Sequence, residues 1–371
     1  MKKYVGAIAC YLMSFPVMAG EFVYDYSGIA AGFYGYSDYS ARYNSYYKHH
    51  HTPVMSEIST SVGYLADNET EFRLGVDGQI SDGKEVEDYN HGEWGENIYA
   101  TWGGKCGEFG IGQMYNAAYQ LAVGAPSVGL FRVNNSPITD FIANPNWQRH
   151  SRVTSYRTLN STFLNTDADA FKLSYTSPSY FGTKAAFSYT PDSYSQAGLI
   201  NKHSRYDNRS SYAIGLYNEY EVYNTEIESS LGYAYNRKNN QEVSAGVSFY
   251  RKGWTLGASY RKSFTSSNDY QLNLRTNNEM PDYFDGYRRG QAFNVGLGYE
   301  IGPLKTALSY FASYADKTDH EGHIWSWANK YAVTKHISLY VVGAYARYKG
   351  DYRRSENNKG TALISGIELS F

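Results

Sequence analysis

The last thirteen residues, Lys359 to Phe371, alternate strictly in polarity and stop on an aromatic residue. Leu363, Ile367, Leu369 and Phe371 share one parity, and Ala362, Gly366, Glu368 and Ser370 the other. One face of this strand is therefore apolar and the opposite face small or polar. Such a strand packs on the core of a soluble sandwich, or it closes a barrel against the first strand, with Leu369 and Phe371 as the closing signal. In hydrocarbon an unpaired backbone N–H or C=O costs roughly several kcal/mol, so strands can span a bilayer only as a closed barrel.

The N-terminus favours export. Met1, Lys2 and Lys3 precede a short apolar run that ends in Val17, Met18 and Ala19, the pattern of a secretory signal peptide over residues 1–19. Cys10 lies inside that run, where lipidation would leave too short an apolar core. The mature chain then keeps Cys106 alone, so no intrachain disulfide is expected even in an oxidising compartment. After Ala19 no run of about 18 apolar residues exists, which excludes helical spans. The 40 tyrosines and 35 glycines against 9 prolines suit bilayer interfaces and wet barrel interiors. A low mean hydropathy is compatible with a barrel, in which only alternate residues face lipid. The formal net charge of −2 gives no support to a nucleic-acid partner.

Along the chain, segments of about ten alternating residues are joined by connections that are long and very short in turn. Phe22 to Tyr36 reads as the first strand, followed by a polar connection from Ser37 to Ser56. That connection carries His49, His50 and His51, weak metal candidates because consecutive placement lacks the geometry of a rigid site. Glu57 to Leu65 and Glu71 to Ile80 form a hairpin over Asp67 to Thr70. On its second strand Phe72, Leu74, Val76 and Ile80 oppose Arg73, Asp77 and Gln79. A charge on the lipid face would cost about 2–4 kcal/mol at mid-membrane, so the charges are assigned to the lumen.

An acidic loop, Ser81 to Gly92, leads to strands Glu96 to Trp102 and Glu108 to Gln113 around a short turn that holds Cys106. From Met114 to about Thr166 the alternation stops, and Pro126, Pro137 and Pro145 interrupt it. Tyr115, Tyr119, Leu121, Leu130, Phe131, Phe141, Ile142 and Trp147 make this stretch too apolar for a solvated tail. It is expected to fold back against the protein. Strands resume over Ala170 to Thr176 and Lys184 to Thr190, and further hairpins follow from Tyr212 to Phe371. The expected fold is all-β, a transmembrane antiparallel barrel of about sixteen strands with both termini on the short-turn side.

At this point the chain resembles the trimeric general porins of Gram-negative outer membranes. The resemblance rests on the terminal aromatic strand, on the strand-turn from Tyr175 to Gly182, and on the long irregular stretch after the fifth strand. In that family this stretch is the third loop, folded into the barrel. Membership implies a passive water-filled channel for small hydrophilic solutes and ions, with no cofactor. It also implies a homotrimer set in outer-membrane lipid and lipopolysaccharide, whose C-terminal strand is read by the barrel assembly machinery. Trimer contacts would use Gly28, Ala30, Ala31, Gly32 and Ala100. The acidic motif of the enterobacterial loop is absent here, since Asp140 is the only carboxylate between Met114 and Arg149.

The candidate lining of the narrow point is Arg73, Asp77, Arg132, Asp140, Arg149, Arg152, Arg157, Lys172 and Lys184. Fixed charges in a low-dielectric throat set ion selectivity, and the arginines point to weak anion preference. Lumen-parity acids Asp77, Glu226, Glu228, Glu300 and Glu368 oppose Arg261, Lys305 and Lys330, a mixed network that stiffens the wall. Tyr64, Trp94, Trp102, Tyr233, Tyr235, Trp254, Tyr299 and Tyr314 read as interfacial girdles rather than a sugar slide. Alternatives are a solute-specific channel for sugars or anions, a surface adhesin with a plugged barrel, and an outer-membrane hydrolase. For the last, no Ser-His-acid set shares a face.

Overall fold

The computed structural model describes residues 20–41, 45–51, 54–66, 69–82, 97–129, 131, 138, 142, 158–159, 161–164, 167, 170–191, 210–236, 240–264, 290–316, 320–350 and 357–371. The signal-peptide residues 1–19 and Trp94 lie outside them. The chain opens with β1 (Gly20–Ala41), which returns as β2 (Ser45–His51) and β3 (Val54–Ala66). Both pair with β1 in one unbroken register, with Ala41 opposite Ser45 and Gly20 opposite Ala66. They are two lengths of a single barrel strand.

The wall continues through β4 (Glu71–Asp82), β5 (Asn97–Gly104), β6 (Gly107–Gln113), β7 (Phe171–Thr176), β8 (Thr183–Thr190) and β9 (Ser211–Val222). It is completed by β10 (Thr225–Asn236), β11 (Asn240–Arg251), β12 (Trp254–Phe264), β13 (Gly290–Ile301), β14 (Leu304–Ala315), β15 (Glu321–Ala332), β16 (Ile337–Lys349) and β17 (Asn358–Ser370). Counting β2 and β3 as one strand, every strand pairs with its chain neighbour, and β17 pairs with β1, which closes a sixteen-strand antiparallel barrel. Among the described residues no helix is long and apolar enough to cross a membrane.

These strands match the sequence expectation to within a few residues, with one exception. The polar connection expected from Ser37 to Ser56 is largely strand: β1 runs on to Ala41, and the chain returns from Ser45. Tyr39, Tyr46 and Tyr47 favour extended backbone, and polarity alone does not end a strand. His49, His50 and His51 accordingly sit in β2 opposite Ser37, Tyr36 and Gly35, not in a loop.

The two faces separate as alternation predicts, but inside out relative to a soluble protein. Leu363, Ile367 and Leu369 are exposed on the outer face, while Ala362, Ile364 and Glu368 are buried on the inner one. Phe72, Leu74 and Val76 likewise face out, with Arg73 and Asp77 half-buried within. Outer aromatics pair across strands near the short turns. Trp254 meets Tyr299 at 4.4 Å and Phe22 meets Tyr64 at 5.3 Å between ring centroids.

The seam is held by Phe371. Its backbone exchanges two hydrogen bonds with Gly28, each 3.1 Å, beyond the last ladder pair Ile29–Ser370. Its ring covers Gly28 so closely that a Cβ there would lie 2.2 Å from the ring Cζ. Gly28 is thus occupied within the chain. Ala31, expected at a trimer contact, points inward and is 1% exposed, because it shares the inward parity of Asp25. Ala30 and Ala100 keep the outward parity.

Candidate channel constriction

Between β6 and β7 the chain leaves the wall and travels along its inside. A buried polar hub fixes both ends of the excursion. Asn116 caps the helical turn Ala117–Gln120 by accepting from the Tyr119 N–H at 2.9 Å. Its amide donates to the Leu164 carbonyl at 2.8 Å and to Asp167 at 2.6 Å, which joins the departing limb to the returning one. Asp167 also accepts from Thr190 at 2.5 Å and Ser211 at 3.2 Å on the wall. Lys172, fully buried, donates to the carbonyls of Met114 and Ala170 and lies 4.0 Å from Asp167. A buried carboxylate with three donors and a nearby ammonium is a compensated charge.

From the hub, residues 117–126 cross one wall strand after another. Wall side chains hydrogen-bond the excursion's backbone. Ser188 on β8 accepts from the Ala117 N–H at 3.1 Å and Ser230 on β10 from Val123 at 2.9 Å. Asn294 on β13 accepts from Ala125 at 3.3 Å. Glycines make room between these anchors. A Cβ on Gly215 would lie 2.6 Å from the Ala117 oxygen, on Gly246 1.9 Å from that of Val123, and on Gly257 2.3 Å from that of Gly124.

The far end rests on a clasp formed by β15, β16 and β17. Val128 and Phe131 exchange backbone bonds of 3.2 and 3.1 Å around Gly129, whose φ is +56°. Gly129 sits directly on the Tyr340 hydroxyl. That hydroxyl donates to Glu368 at 2.5 Å, and Lys330 approaches the same carboxylate at 2.6 Å. Around the clasp, Val128, Phe131, Ile138, Ile142 and Leu159 pack on Phe311, Ile324, Val342, Tyr348 and Ile364 of the inner wall. Ile364, an apolar residue at an inward position, is buried by this contact.

The return limb is pinned by a buried ion pair. Arg261 meets Glu242 at 2.7 Å, both almost inaccessible, and donates to the Phe163 carbonyl at 2.7 Å. Thr162 bonds Ser259 at 2.6 Å and Asn294 at 3.2 Å. The described length of the excursion therefore lies against β7 to β17, with Ala31 of β1 in the same apolar cluster. Accessible charges remain on both parts of the wall: Asp25 and Arg73 on β1 and β4, and Lys305 with Glu300 on β14 and β13.

Those charges differ from a simple positive wall. Arg73 lies 3.2 Å from Asp25 and 2.6 Å from Glu71, between two carboxylates. Asp77 accepts from Ser59 at 2.5 Å and Asn97 at 3.5 Å. Lys172 is committed to the hub. Lys184 lies near the short-turn end, 6.0 Å above the ring of Tyr217, whose hydroxyl bridges Glu228 and Glu219 at 2.6 and 3.1 Å. Arg132, Asp140, Arg149, Arg152 and Arg157 lie outside the described residues. Two of the expected wall pairs form, Lys305 with Glu300 at 2.9 Å and Lys330 with Glu368 at 2.6 Å, whereas Arg261 pairs with Glu242 instead of the expected acids and Glu228 accepts from Tyr217. Glu242, Asn116 and Asp167 were missed by sequence reasoning, as was the role of the inward glycines and serines.

A search of curated proteins finds no match. Among solved structures the fold is similar to an anion-selective porin from Comamonas acidovorans, with a TM-score of 0.62 and 14% identity over 95% of this chain and all of that one. It is also similar to OmpT of Vibrio cholerae, with a TM-score of 0.56 and 10% identity over 96% and 99% of the two chains. A mutant porin from Rh. blastica aligns with a TM-score of 0.52 and 11% identity, over 94% of this chain and 100% of that one. At such identities these likenesses speak for the fold. A Gram-negative porin family model matches residues 6–351, nearly the whole sequence, and the chain therefore belongs to that family, as a multi-pass β-barrel channel of the outer membrane.

Proposed function

We propose that this porin allows passive diffusion of small hydrophilic solutes and ions, that it works as a homotrimer, and that residues 114–166 supply its constriction. The observation that carries this reading is the docking of the excursion against one side of the lumen. Hub, glycine-serine track and clasp hold its described residues to the wall of β7 to β17, and among the described residues Asp25, Glu71 and Arg73 on the other side of the lumen are part-exposed. A lumen narrowed from one side conducts; a plug would need contacts all round.

Selectivity then depends on the charge at the narrowest point, where field lines concentrate. Arg73 is offset by Asp25 and Glu71, and Lys172 is sequestered, so neither supplies net positive charge. We assign weak anion preference to Arg132, Arg149, Arg152 and Arg157, whose summed charge has to outweigh the inward carboxylates Asp25, Glu71, Asp77 and Glu108. Single-channel recording in planar bilayers under a salt gradient tests both parts. Open steps in groups of three with a reversal potential of anionic sign are expected. A cationic sign overturns the selectivity, and silence from folded barrels overturns the channel.

A further inference from the structure

The two limbs of the excursion carry rings on the side away from the wall. Met114 and Asn116 both turn toward the wall, Met114 with its sulfur 3.3 Å from the Ser174 hydroxyl and Asn116 into the hub. Tyr115, between them, points the opposite way. Ala117 and Ala118 lie on the inner wall at Gly215 and Gly232, which leaves Tyr119 on the lumen side. On the return limb Thr162 bonds Ser259 and Leu164 packs with Ala213 and Ala234, so Phe163 between them also faces the lumen.

The three rings form one stack with Tyr115 outermost. Tyr115 and Tyr119 lie nearly parallel, 4.3 Å between centroids and 16° between planes, and Phe163 meets Tyr119 edge-on at 5.6 Å and 87°. The Tyr119–Phe163 contact ties the departing limb to the returning one. The Tyr115–Tyr119 contact does not, because both residues belong to one limb. Tyr119 covers one face of the Tyr115 ring, so the 40% exposure of Tyr115 belongs to its rim and opposite face. The stack is uncharged: Gln120, exposed beside it, donates to the Tyr115 carbonyl at 2.7 Å, while Asp167 and Lys172 are buried in the hub.

We propose that Tyr115 is a stacking platform, set in the solute path, for small neutral solutes that carry a flat aromatic or heteroaromatic ring. The assignment rests on the porin reading, which makes the lumen side of the excursion part of the channel. A flat ring laid on Tyr115 continues the parallel stack begun by Tyr119, in the offset arrangement that aromatic pairs favour. The hub and the Tyr119 ring hold the platform in place before a solute arrives, so little side-chain freedom is lost on binding. An anion is repelled by the negative face of a ring and finds no cation within the stack. A sugar ring gives up water at several hydroxyls against one amide and the tyrosine hydroxyls, a poor exchange. The channel then sorts neutral solutes by the flatness of a ring, which fixed charge does not distinguish.

The test is a ligand-observed NMR titration of the detergent-purified full-length barrel with uracil and with dihydrouracil, which carries the same polar groups on a puckered, saturated ring. Uracil is expected to bind the parent protein about three- to ten-fold more tightly than dihydrouracil. Tyr115→Leu, which keeps an apolar contact on Tyr119 without a flat ring, should lose that difference, and Tyr115→Phe should keep it. Tyr331→Ala, which removes a half-exposed tyrosine from the outer face, should also keep it. Equal binding of the two compounds by the parent protein overturns the proposal, as does a preference intact in Tyr115→Leu or lost in Tyr331→Ala. Glucose bound as tightly as uracil overturns it too, and assigns the platform to sugars. Conductance recorded on the same samples separates this from the channel reading. A silent barrel that still prefers uracil overturns the channel alone, and a conducting barrel without the preference overturns the platform alone.

Discussion

Adding one methyl group to the inner wall should move the excursion off it. In Gly246→Ala the new Cβ would stand 1.9 Å from the Val123 carbonyl oxygen, and ordinary contact begins at 3.4 Å, so the loop must retreat by about 1.5 Å (3.4 − 1.9). The obstacle is backbone on both sides, so no side chain can swing away. Retreat also breaks the 2.9 Å bond from the Val123 N–H to Ser230. A buried donor left without a partner costs about 1–3 kcal/mol, and overpacking commonly adds about 1–3 kcal/mol. The gain from replacing a strand glycine, roughly 0.5–1 kcal/mol, does not offset this.

The expected outcome is a folded barrel whose loop leans toward the channel axis, with lower and noisier single-channel conductance. Gly257→Ala demands a retreat of about 1.1 Å (3.4 − 2.3) and Gly215→Ala about 0.8 Å (3.4 − 2.6), so the effects should fall in the order 246, 257, 215. Gly343→Ala is the control, on the outer face with nothing within 4 Å of its Cβ. Folding is checked by heat-dependent gel migration and conductance in planar bilayers. If Gly246→Ala conducts as the parent does, or Gly343→Ala disturbs conduction equally, the docking geometry is wrong.

Glu368→Gln should loosen the clasp, because Tyr340 and Lys330 both depend on that carboxylate; the threshold voltage for channel closure is expected to fall. Arg261→Met leaves Glu242 charged and almost inaccessible, a loss of about 3–5 kcal/mol for a broken buried pair, read as a lower temperature at which the folded gel band disappears. Pairing it with Glu242→Gln should restore part of that loss. Cys106, exposed in the turn between β5 and β6, should react with a bulky maleimide in cells with a permeabilised outer membrane and not in intact ones. The reverse pattern would invert the barrel and put the short turns at the cell surface.

Alternation made the wall legible because a strand in lipid has a strict period and a high penalty for misplaced charge. It failed between Ser37 and Ser56, where β1 and β2 run on and no apolar face marks the register. The excursion between β6 and β7 was legible as an anomaly, through its prolines and misplaced aromatics, but its attachments were not. Arg73 and Lys172 read as lumen cations on parity alone. Parity says which way a side chain points and is silent on what meets it there: two carboxylates for Arg73, and two backbone carbonyls with Asp167 nearby for Lys172.

The signal for the docked chain was nonetheless present. A wall facing water has no reason to place Gly215, Gly232, Gly246, Gly257, Gly296 and Gly298 at inward positions of consecutive strands, since each weakens its ladder. Interleaved with Ser188, Ser230, Ser259 and Ser309, they trace a band one backbone wide, from β8 to β14. Glycines open the space, and serines offer hydroxyls to the backbone that fills it. Ile364 belongs to the same logic, as an apolar residue with the wrong parity for a wet lumen and the right one for a surface that another segment covers. Period-two reading separates inside from outside. A second pass, asking which inward positions are too small or too apolar for water, locates the path of whatever lies within.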